Sequence, residues 1–121
     1  MRAVILFGHG SRDPQWREAM DAVAARIAAL DAAVPVRCAF LELQPPWLAA
    51  AARELASAGA RAIAVLPMFL GAGRHVREDL PRLASEAAAA AGVELVLCPS
   101  IGEDARVVDL IARIALEKTK A

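Results

Sequence analysis

Four short runs of β-forming residues alternate with longer stretches of helical periodicity, and this alternation restricts the possible folds more than any other feature of the chain. Most residues in these runs are apolar, without alternating polar positions, as expected of strands that are covered on both faces. Alternating strands and helices are typical of βα units and a parallel sheet. The sequence therefore predicts an α/β fold with strands over residues 3–7, 34–41, 63–66 and 93–97.

The first helix is predicted from its cap and its apolar spacing. Asp13 and Pro14 form a typical N-cap and first turn. Apolar residues then recur at alternating steps of four and three, which predicts one stripe facing the core. The stripe consists of Trp16, Met20, Val23, Ile27 and Leu30.

Prolines and glycines place the other helices. The second helix is predicted to begin at Pro45 and Pro46 and to end near Gly59. The third is predicted over residues 75–91, where Pro81 would bend it or delay its regular start, and a closing helix is predicted over 103–118. The predicted architecture is a four-stranded parallel sheet flanked by helices.

The chain has 121 residues, the length of one domain, which is predicted over 1–121. Hydrophobic residues make up 58% of the sequence but aromatic residues only 4%, so the surplus consists of small side chains, alanine above all. Alanine tracts in the second and third predicted helices let a helix lie close to a sheet or to a second subunit. A partner surface is therefore expected.

Charge and hydropathy exclude several classes of protein. Fourteen Lys and Arg residues balance fourteen Asp and Glu residues, which argues against a general nucleic-acid partner. The longest uncharged stretch, 62–73, contains Pro67 and is shorter than the roughly 18 apolar residues typical of a membrane span. No secretory signal is recognisable, so we expect a cytoplasmic protein without a membrane partner. Cys38 and Cys98 lie in apolar runs and are predicted to be buried thiols rather than a disulfide or a metal pair.

Polar side chains follow three of the predicted strands. His9 and His75, the two histidines of the chain, come after the first and third strands, and Glu42 comes after the second. In an open parallel sheet, ligands bind beyond the carboxyl ends of the strands. If the strands are ordered 2-1-3-4, these groups converge on one edge of the sheet. Two imidazoles and a carboxylate can bind a divalent transition metal there.

Each of these residues also has a plain structural interpretation. A histidine in a loop is more often a surface residue than a ligand, although glycines lie near both histidines. Glu42 could cap the second helix. Arg12, Arg74 and Arg77 could be ordinary solvated charges, or could form an anion-attracting rim together with helix N-termini.

The segment 8–10, Gly-His-Gly, also resembles the start of histidine phosphatases, in which a histidine at the end of the first strand is phosphorylated. The arginine that precedes that histidine in the phosphatases is replaced here by Gly8. No GxxxxGK[ST] or GxGxxG pattern follows a predicted strand, so nucleotide binding through such loops is not supported.

Three segments together resemble the class II tetrapyrrole chelatases, in particular the short sirohydrochlorin cobaltochelatases of the CbiX/SirB type. They are GHGSRDP over 8–14, FLEL with Pro45 over 40–45, and PMFLGAGRHVREDLP over 67–81. The third segment is a strong indication of the resemblance, because it is long and its residues occur in the same order as in the family. The resemblance extends over essentially the whole chain.

The resemblance implies that the protein inserts Co²⁺, Fe²⁺ or Ni²⁺ into sirohydrochlorin without ATP, on the way to cobalamin or sirohaem. The metal would be a substrate, and no organic cofactor is expected. His9 and His75 would bind the metal and accept protons, with Glu42 as a supporting ligand or base. The family also implies two α/β lobes with the tetrapyrrole in the cleft between them. Short chains supply one lobe each and pair as homodimers.

A substrate with many carboxylates explains why arginines should border such a cleft. Leu70 is expected to meet the face of the macrocycle, while Phe69 and Trp47 are expected either there or in the core. The residues predicted to contact the tetrapyrrole are Ser11, Arg12, Leu70, Gly73, Arg74 and Arg77. A non-catalytic carrier of tetrapyrrole or metal could use the same groups and is the alternative function. A histidine phosphatase is the third.

Overall fold

Four parallel strands form one sheet in a computed structural model that describes residues 1–120. The strands are β1 (Arg2–Gly8), β2 (Val36–Phe40), β3 (Ala62–Pro67) and β4 (Glu94–Leu97). They are arranged in the order β2-β1-β3-β4, which confirms the predicted parallel sheet and its order. The last residue of the predicted domain 1–121, Ala121, lies outside the described residues.

Helices follow each strand, and several begin later than predicted. The helices are α1 (Glu18–Leu30), α2 (Leu48–Ser57), α3 (Arg74–Ala91) and α4 (Ala105–Glu117). Short 3-10 turns precede α1 and α4, at Pro14–Arg17 and Ile101–Glu103. No helix within residues 1–120 combines the length and the apolar character that a membrane crossing requires.

One face of the sheet carries the larger core. Ile5, Phe7, Ile63 and Val65 point from the central strands β1 and β3 into this core and are almost completely buried. The small side chains Ala51, Ala52 and Ala87 of α2 and α3 are fully buried against them. The alanine surplus thus lets two helices pack closely on the same face of the sheet.

The opposite face carries a smaller core beneath α1. Met20 is buried there with Leu6, Cys38 and Phe40, and Ile27 of α1 is half-buried against them. The predicted stripe of the first helix is therefore wrong in part. Trp16, Val23 and Leu30 are exposed, since α1 rests on the sheet through Met20, Ala24 and Ile27 instead.

The structure corrects the prediction for Pro45 and Pro46 and excludes one of the two alternatives for Pro81. The peptide between Pro45 and Pro46 is cis and lies outside the second helix, which begins at Leu48 with Trp47 as its N-cap. The carbonyl of Pro46 accepts a hydrogen bond from the amide of Phe40 at 2.9 Å, so this segment extends along β2 instead of entering α2. Pro81 does not delay α3, which begins at Arg74 and contains the proline.

Both cysteines are free thiols, as predicted, but only Cys38 is buried. Cys98 is half-buried, because it follows the end of β4 and lines a surface cleft.

Candidate functional site

The loops after β1 and β2 are held together by backbone hydrogen bonds that continue the pairing of the two strands. The amide of Leu41 donates to the carbonyl of Gly8 at 2.9 Å, and the amide of Glu42 donates to the carbonyl of His9 at 3.0 Å. Because the strands are adjacent and parallel, His9 and Glu42 leave the sheet side by side. The strand order alone therefore brings two candidate residues together.

Gly10 permits this close approach. Its φ of +102° is a conformation that L side chains rarely adopt. A Cβ atom on residue 10 would collide with the carbonyl oxygen of Glu42. A glycine is thus required where the first loop crosses the second, which gives Gly10 a specific structural role in the site.

His9 and Glu42 form a side-chain pair at this edge. The Nε2 atom of His9 lies 2.7 Å from the Oε1 atom of Glu42, and the two side chains are 49% and 55% exposed. Such a carboxylate fixes the orientation of an imidazole and makes its remaining ring nitrogen a better base or ligand. Glu42 does not cap α2, whose N-cap is Trp47, so that alternative for Glu42 is excluded.

Ser11 organises the first loop through its backbone and its hydroxyl. Its amide donates to Oε1 of Gln44 at 3.0 Å, and its Oγ accepts a hydrogen bond from the amide of Asp13 at 3.0 Å. Gln44 was not among the residues predicted from the sequence, although its position two residues after Glu42 suggests that it contacts a neighbouring loop. Arg12, between Ser11 and Asp13, is exposed.

His75 does not form a metal-holding group of three with His9 and Glu42 in the described residues. It is an exposed residue in the first turn of α3, separated from the end of β3 by residues 68–73. Among residues 1–120, no three His, Cys, Asp or Glu side chains are close enough together to hold a metal ion. The expected convergence therefore holds for His9 and Glu42 but does not extend to His75 in a single copy.

The basic residues at the start of α3 differ in whether they are paired with an acidic side chain. Nε of Arg74 donates to Glu78 at 3.0 Å, whereas the guanidinium of Arg77 donates to the carbonyl of Ala72 at 3.1 Å. Arg74 is thus paired with an acid, while Arg77 has no acidic partner among the ion pairs found in residues 1–120. Gly73 is the N-cap of α3, and nothing lies within 4 Å of the position that a Cβ would take.

Exposed apolar side chains surround this edge of the sheet. Leu70 is 73% exposed, whereas Phe69 packs edge-on against Phe7 at 6.5 Å between ring centroids. Trp47 is half exposed. The sequence interpretation missed Trp16 and Leu43, which are also exposed and follow β1 and β2. Their positions after the ends of two predicted strands could have identified them as candidate site residues.

The loop after β4 is fixed to the loop after β3 and borders a cleft of about 480 Å³. The amide of Gly102 donates to the carbonyl of Phe69 at 3.0 Å, and a Cβ on Gly102 would collide with the carbonyl oxygen of Leu70. Ser100 is buried there in a capping box with Glu103. Leu66 and Cys98 line the same cleft.

Curated relatives of the chain share one name. A sirohydrochlorin cobaltochelatase of Methanosarcina acetivorans is 31% identical over 116 residues, which cover 89% of each chain. A sirohydrochlorin cobaltochelatase of Methanopyrus kandleri is 35% identical over 83 residues, 69% of this chain. The match spans only 58% of the Methanopyrus protein.

Two solved structures have the same architecture. A cobalamin (vitamin B12) biosynthesis CbiX protein from Marinobacter aquaeolei VT8 superposes with a TM-score of 0.85 at 29% identity, over 99% of this chain and 98% of that one. The sirohydrochlorin chelatase SirB from Bacillus subtilis subspecies spizizenii, solved in complex with cobalt, gives a TM-score of 0.71 at 27% identity. The match covers 96% of this chain and 50% of SirB. Residues 3–118 also match the family model CbiX, and the chain therefore belongs to the CbiX family.

Proposed function

We propose that this protein inserts a divalent metal ion, Co²⁺ or Fe²⁺, into sirohydrochlorin without ATP, with Ni²⁺ as a third candidate metal. The product would serve the synthesis of cobalamin or sirohaem. The names of the relatives support the substrate, and the cobalt complex of SirB supports the metal. The observation that carries the proposal is the exposed pair of His9 and Glu42 at the carboxyl edge of the sheet.

The pair suits the chemistry of metal insertion. Insertion removes two pyrrole N–H protons while the metal exchanges water for ring nitrogens, so the site needs a base that also tolerates a metal. When Nε2–H of His9 donates to Glu42, Nδ1 is left as the free basic nitrogen. His9 would then accept a proton or bind the incoming metal, and Glu42 would stabilise the imidazolium that forms.

The surroundings of the pair suit a flat macrocycle with acidic substituents. Leu70, Leu43 and Trp47 offer exposed apolar surface for the ring face. Arg12 and Arg77 offer guanidinium groups for carboxylates. Ser11, Gly73 and Arg74 complete the proposed contact surface.

We further propose that two copies form the working enzyme. The match to SirB covers half of that longer chain, and within residues 1–120 of one copy His75 does not form a metal-holding group of three with His9 and Glu42. Two copies of this chain would supply the same length of polypeptide as SirB. A homodimer without an organic cofactor, located in the cytoplasm, is the assembly that we propose.

Turnover with sirohydrochlorin and Co²⁺, followed by the change in absorption of the tetrapyrrole, tests this function. An enzyme converts many equivalents faster than the spontaneous reaction, whereas a carrier binds one equivalent without turnover. His9→Ala and His75→Ala should each abolish insertion while the fold remains intact. Full activity of either variant would contradict the proposed site.

A matched pair of variants isolates the role of Glu42. Glu42 and Glu54 each lie 2.7 Å from a nitrogen partner and are 55% and 54% exposed. Glu54 pairs with Arg37, away from the site. Glu42→Gln should therefore slow insertion at least about tenfold, corresponding to about 1.4 kcal/mol, whereas Glu54→Gln should leave it unchanged. Equal rates for the two variants would exclude a role for Glu42.

A further inference from the structure

The two loops that carry His9 and Glu42 are joined at two successive points. At the first point the amide of Glu42 donates to the carbonyl of His9 at 3.0 Å. At the second point the amide of Ser11 donates to Oε1 of Gln44 at 3.0 Å. The first hydrogen bond uses only backbone atoms, whereas the second depends on one side chain, that of Gln44.

Between these two points, one residue of each loop has a positive φ. Gly10 has a φ of +102° and Leu43 a φ of +69°, and Leu43 is the one non-glycine residue of residues 1–120 with a positive φ. A bulky side chain disfavours this conformation, which persists only where the surrounding structure holds it. Both chain neighbours of Leu43, Glu42 and Gln44, are bonded to the first loop, and these two bonds can therefore hold its conformation.

Packing does not fix the side-chain pair of His9 and Glu42. The two side chains are 49% and 55% exposed, although Nε2 and Oε1 lie 2.7 Å apart. An exposed pair gains little free energy by itself, because holding two mobile side chains in one geometry costs conformational entropy. The relative position of the two backbones must therefore decide whether the pair forms. Gln44, which is half-buried, fixes that position beyond residue 42.

We propose that Gln44 is a positioning residue. By accepting the amide of Ser11, its side chain keeps the first loop against the second and thereby keeps the imidazole of His9 on the carboxylate of Glu42. Nε2 of His9 then carries the proton, and Nδ1 stays free as base or ligand. This inference deepens the proposed function and rests on it for the purpose of the pair. Gln44 would act through the pair and not on the substrate.

The nitrogen chemical shifts of the imidazoles test the inference without any turnover. At about pH 9 an imidazole is neutral, and these shifts report which ring nitrogen carries the proton. His9 of the wild type should be almost exclusively the Nε2–H tautomer. In Gln44→Met, which has a side chain of similar length without a strong acceptor, His9 should become a mixture of tautomers. His75, which is exposed, is the internal reference in the same spectrum.

A conservative variant should restore the wild-type signature. In Gln44→Glu a carboxylate oxygen can accept the amide of Ser11, so His9 should return to the Nε2–H tautomer. The amide of Ser11 should also exchange with solvent about fivefold more slowly in the wild type and in Gln44→Glu than in Gln44→Met, as expected for one hydrogen bond.

Gln15→Met is the matched control. Gln15, the other glutamine of the chain, is exposed, and its backbone amide donates to Asp13. The substitution leaves that hydrogen bond in place, and it should change neither the tautomer of His9 nor the exchange of the Ser11 amide.

Turnover shows whether Gln44 acts through the pair. Gln44→Met should slow insertion at least about fivefold at saturating sirohydrochlorin, because a misaligned base transfers protons less efficiently. In the background of Glu42→Gln the same substitution should have no further effect, since two changes that disrupt one contact are not additive. Losses that multiply in the double variant would overturn the inference, because they would mean that Gln44 acts independently of the pair.

Two spectroscopic results would also overturn it. One is a wild-type tautomer of His9 in Gln44→Met that circular dichroism shows to be folded, and the other is a failure of Gln44→Glu to restore that tautomer. Gln44→Asn shortens the side chain by one methylene and replaces Gln44→Met if the latter does not fold. A wild-type protein without turnover would contradict the proposed function, whereas the tautomer and exchange measurements would still decide the role of Gln44.

Discussion

The Nε2 atom of His9 and the Oε1 atom of Glu42 lie 2.7 Å apart, across the junction of two neighbouring parallel strands. Their proximity depends on the backbone beneath them, where the amide of Glu42 donates to the carbonyl of His9. Gly10 makes room for that hydrogen bond. The geometry of the side-chain pair is thus coupled to one glycine.

Replacing Gly10 by alanine should disturb both stability and site geometry. The positive φ and the collision of a Cβ with the carbonyl of Glu42 should lower the free energy of unfolding by about 1 to 3 kcal/mol. Chemical denaturation measures the loss. Gly71→Ala is the control, because nothing lies within 4 Å of its Cβ position and its φ is not in the left-handed region. Equal stability of the two variants would show that the crossing of the loops tolerates a side chain.

Phe7 should contribute far more to stability than the exposed Leu70. Phe7 is 1% exposed and packs edge-on against Phe69. Phe7→Ala should lower the free energy of unfolding by about 3 to 5 kcal/mol, because it removes buried apolar area and leaves a cavity. Leu70→Ala should change it by less than about 0.5 kcal/mol, since Leu70 is mostly solvated. A large loss for Leu70→Ala in denaturant titrations would mean that this residue is covered in solution.

The two cysteines should differ in reactivity. Burial raises the pKa of the Cys38 thiol, so less thiolate is present near neutral pH, and the side chain is only 8% exposed. Cys98 is half-buried in the cleft after β4. We expect iodoacetamide to alkylate Cys98 at least about tenfold faster than Cys38, as followed by mass spectrometry of the peptides. In denaturant the rates should become similar, and a fast Cys38 in the folded protein would contradict this account.

The start of α4 should depend on pH through Asp104. Hydrogen bonds from the side chain and amide of Arg106 lower the pKa of Asp104 to about 2, below its ordinary value of 3.8. A lowered pKa means that the ionised carboxylate stabilises the folded helix above pH 3.8, and that this contribution is lost as the pH falls through about 2. The helicity of Asp104→Ala should therefore be below that of the wild type at pH 6 and approach it near pH 2.

Asp109→Ala provides the comparison for Asp104, because Asp109 lies on the same helix and pairs with Arg113 without capping it. Circular dichroism across the pH range should show a much smaller effect for this control. A difference between wild type and Asp104→Ala that persists unchanged at pH 2 would contradict the assigned role of the carboxylate.

The sequence by itself determined the elements, the parallel sheet and the closeness of His9 and Glu42. Apolar runs and caps are local features, and residues that leave adjacent parallel strands at their carboxyl ends must meet. The sequence did not determine the position of His75, because the path of residues 68–73 depends on contacts such as that between Gly102 and Leu70.

The partners of the helices were decided by the tertiary structure alone. Periodicity identified an apolar face on the first helix, but the sheet buries Met20, Ala24 and Ile27 and leaves Val23 and Leu30 exposed. Helix α4 carries an apolar stripe of the same kind, but this helix leads away from the sheet. Hydrophobic periodicity predicts that one face of a helix will be covered. Whether the sheet of the same chain covers that face depends on the path of the chain, which only the tertiary structure shows.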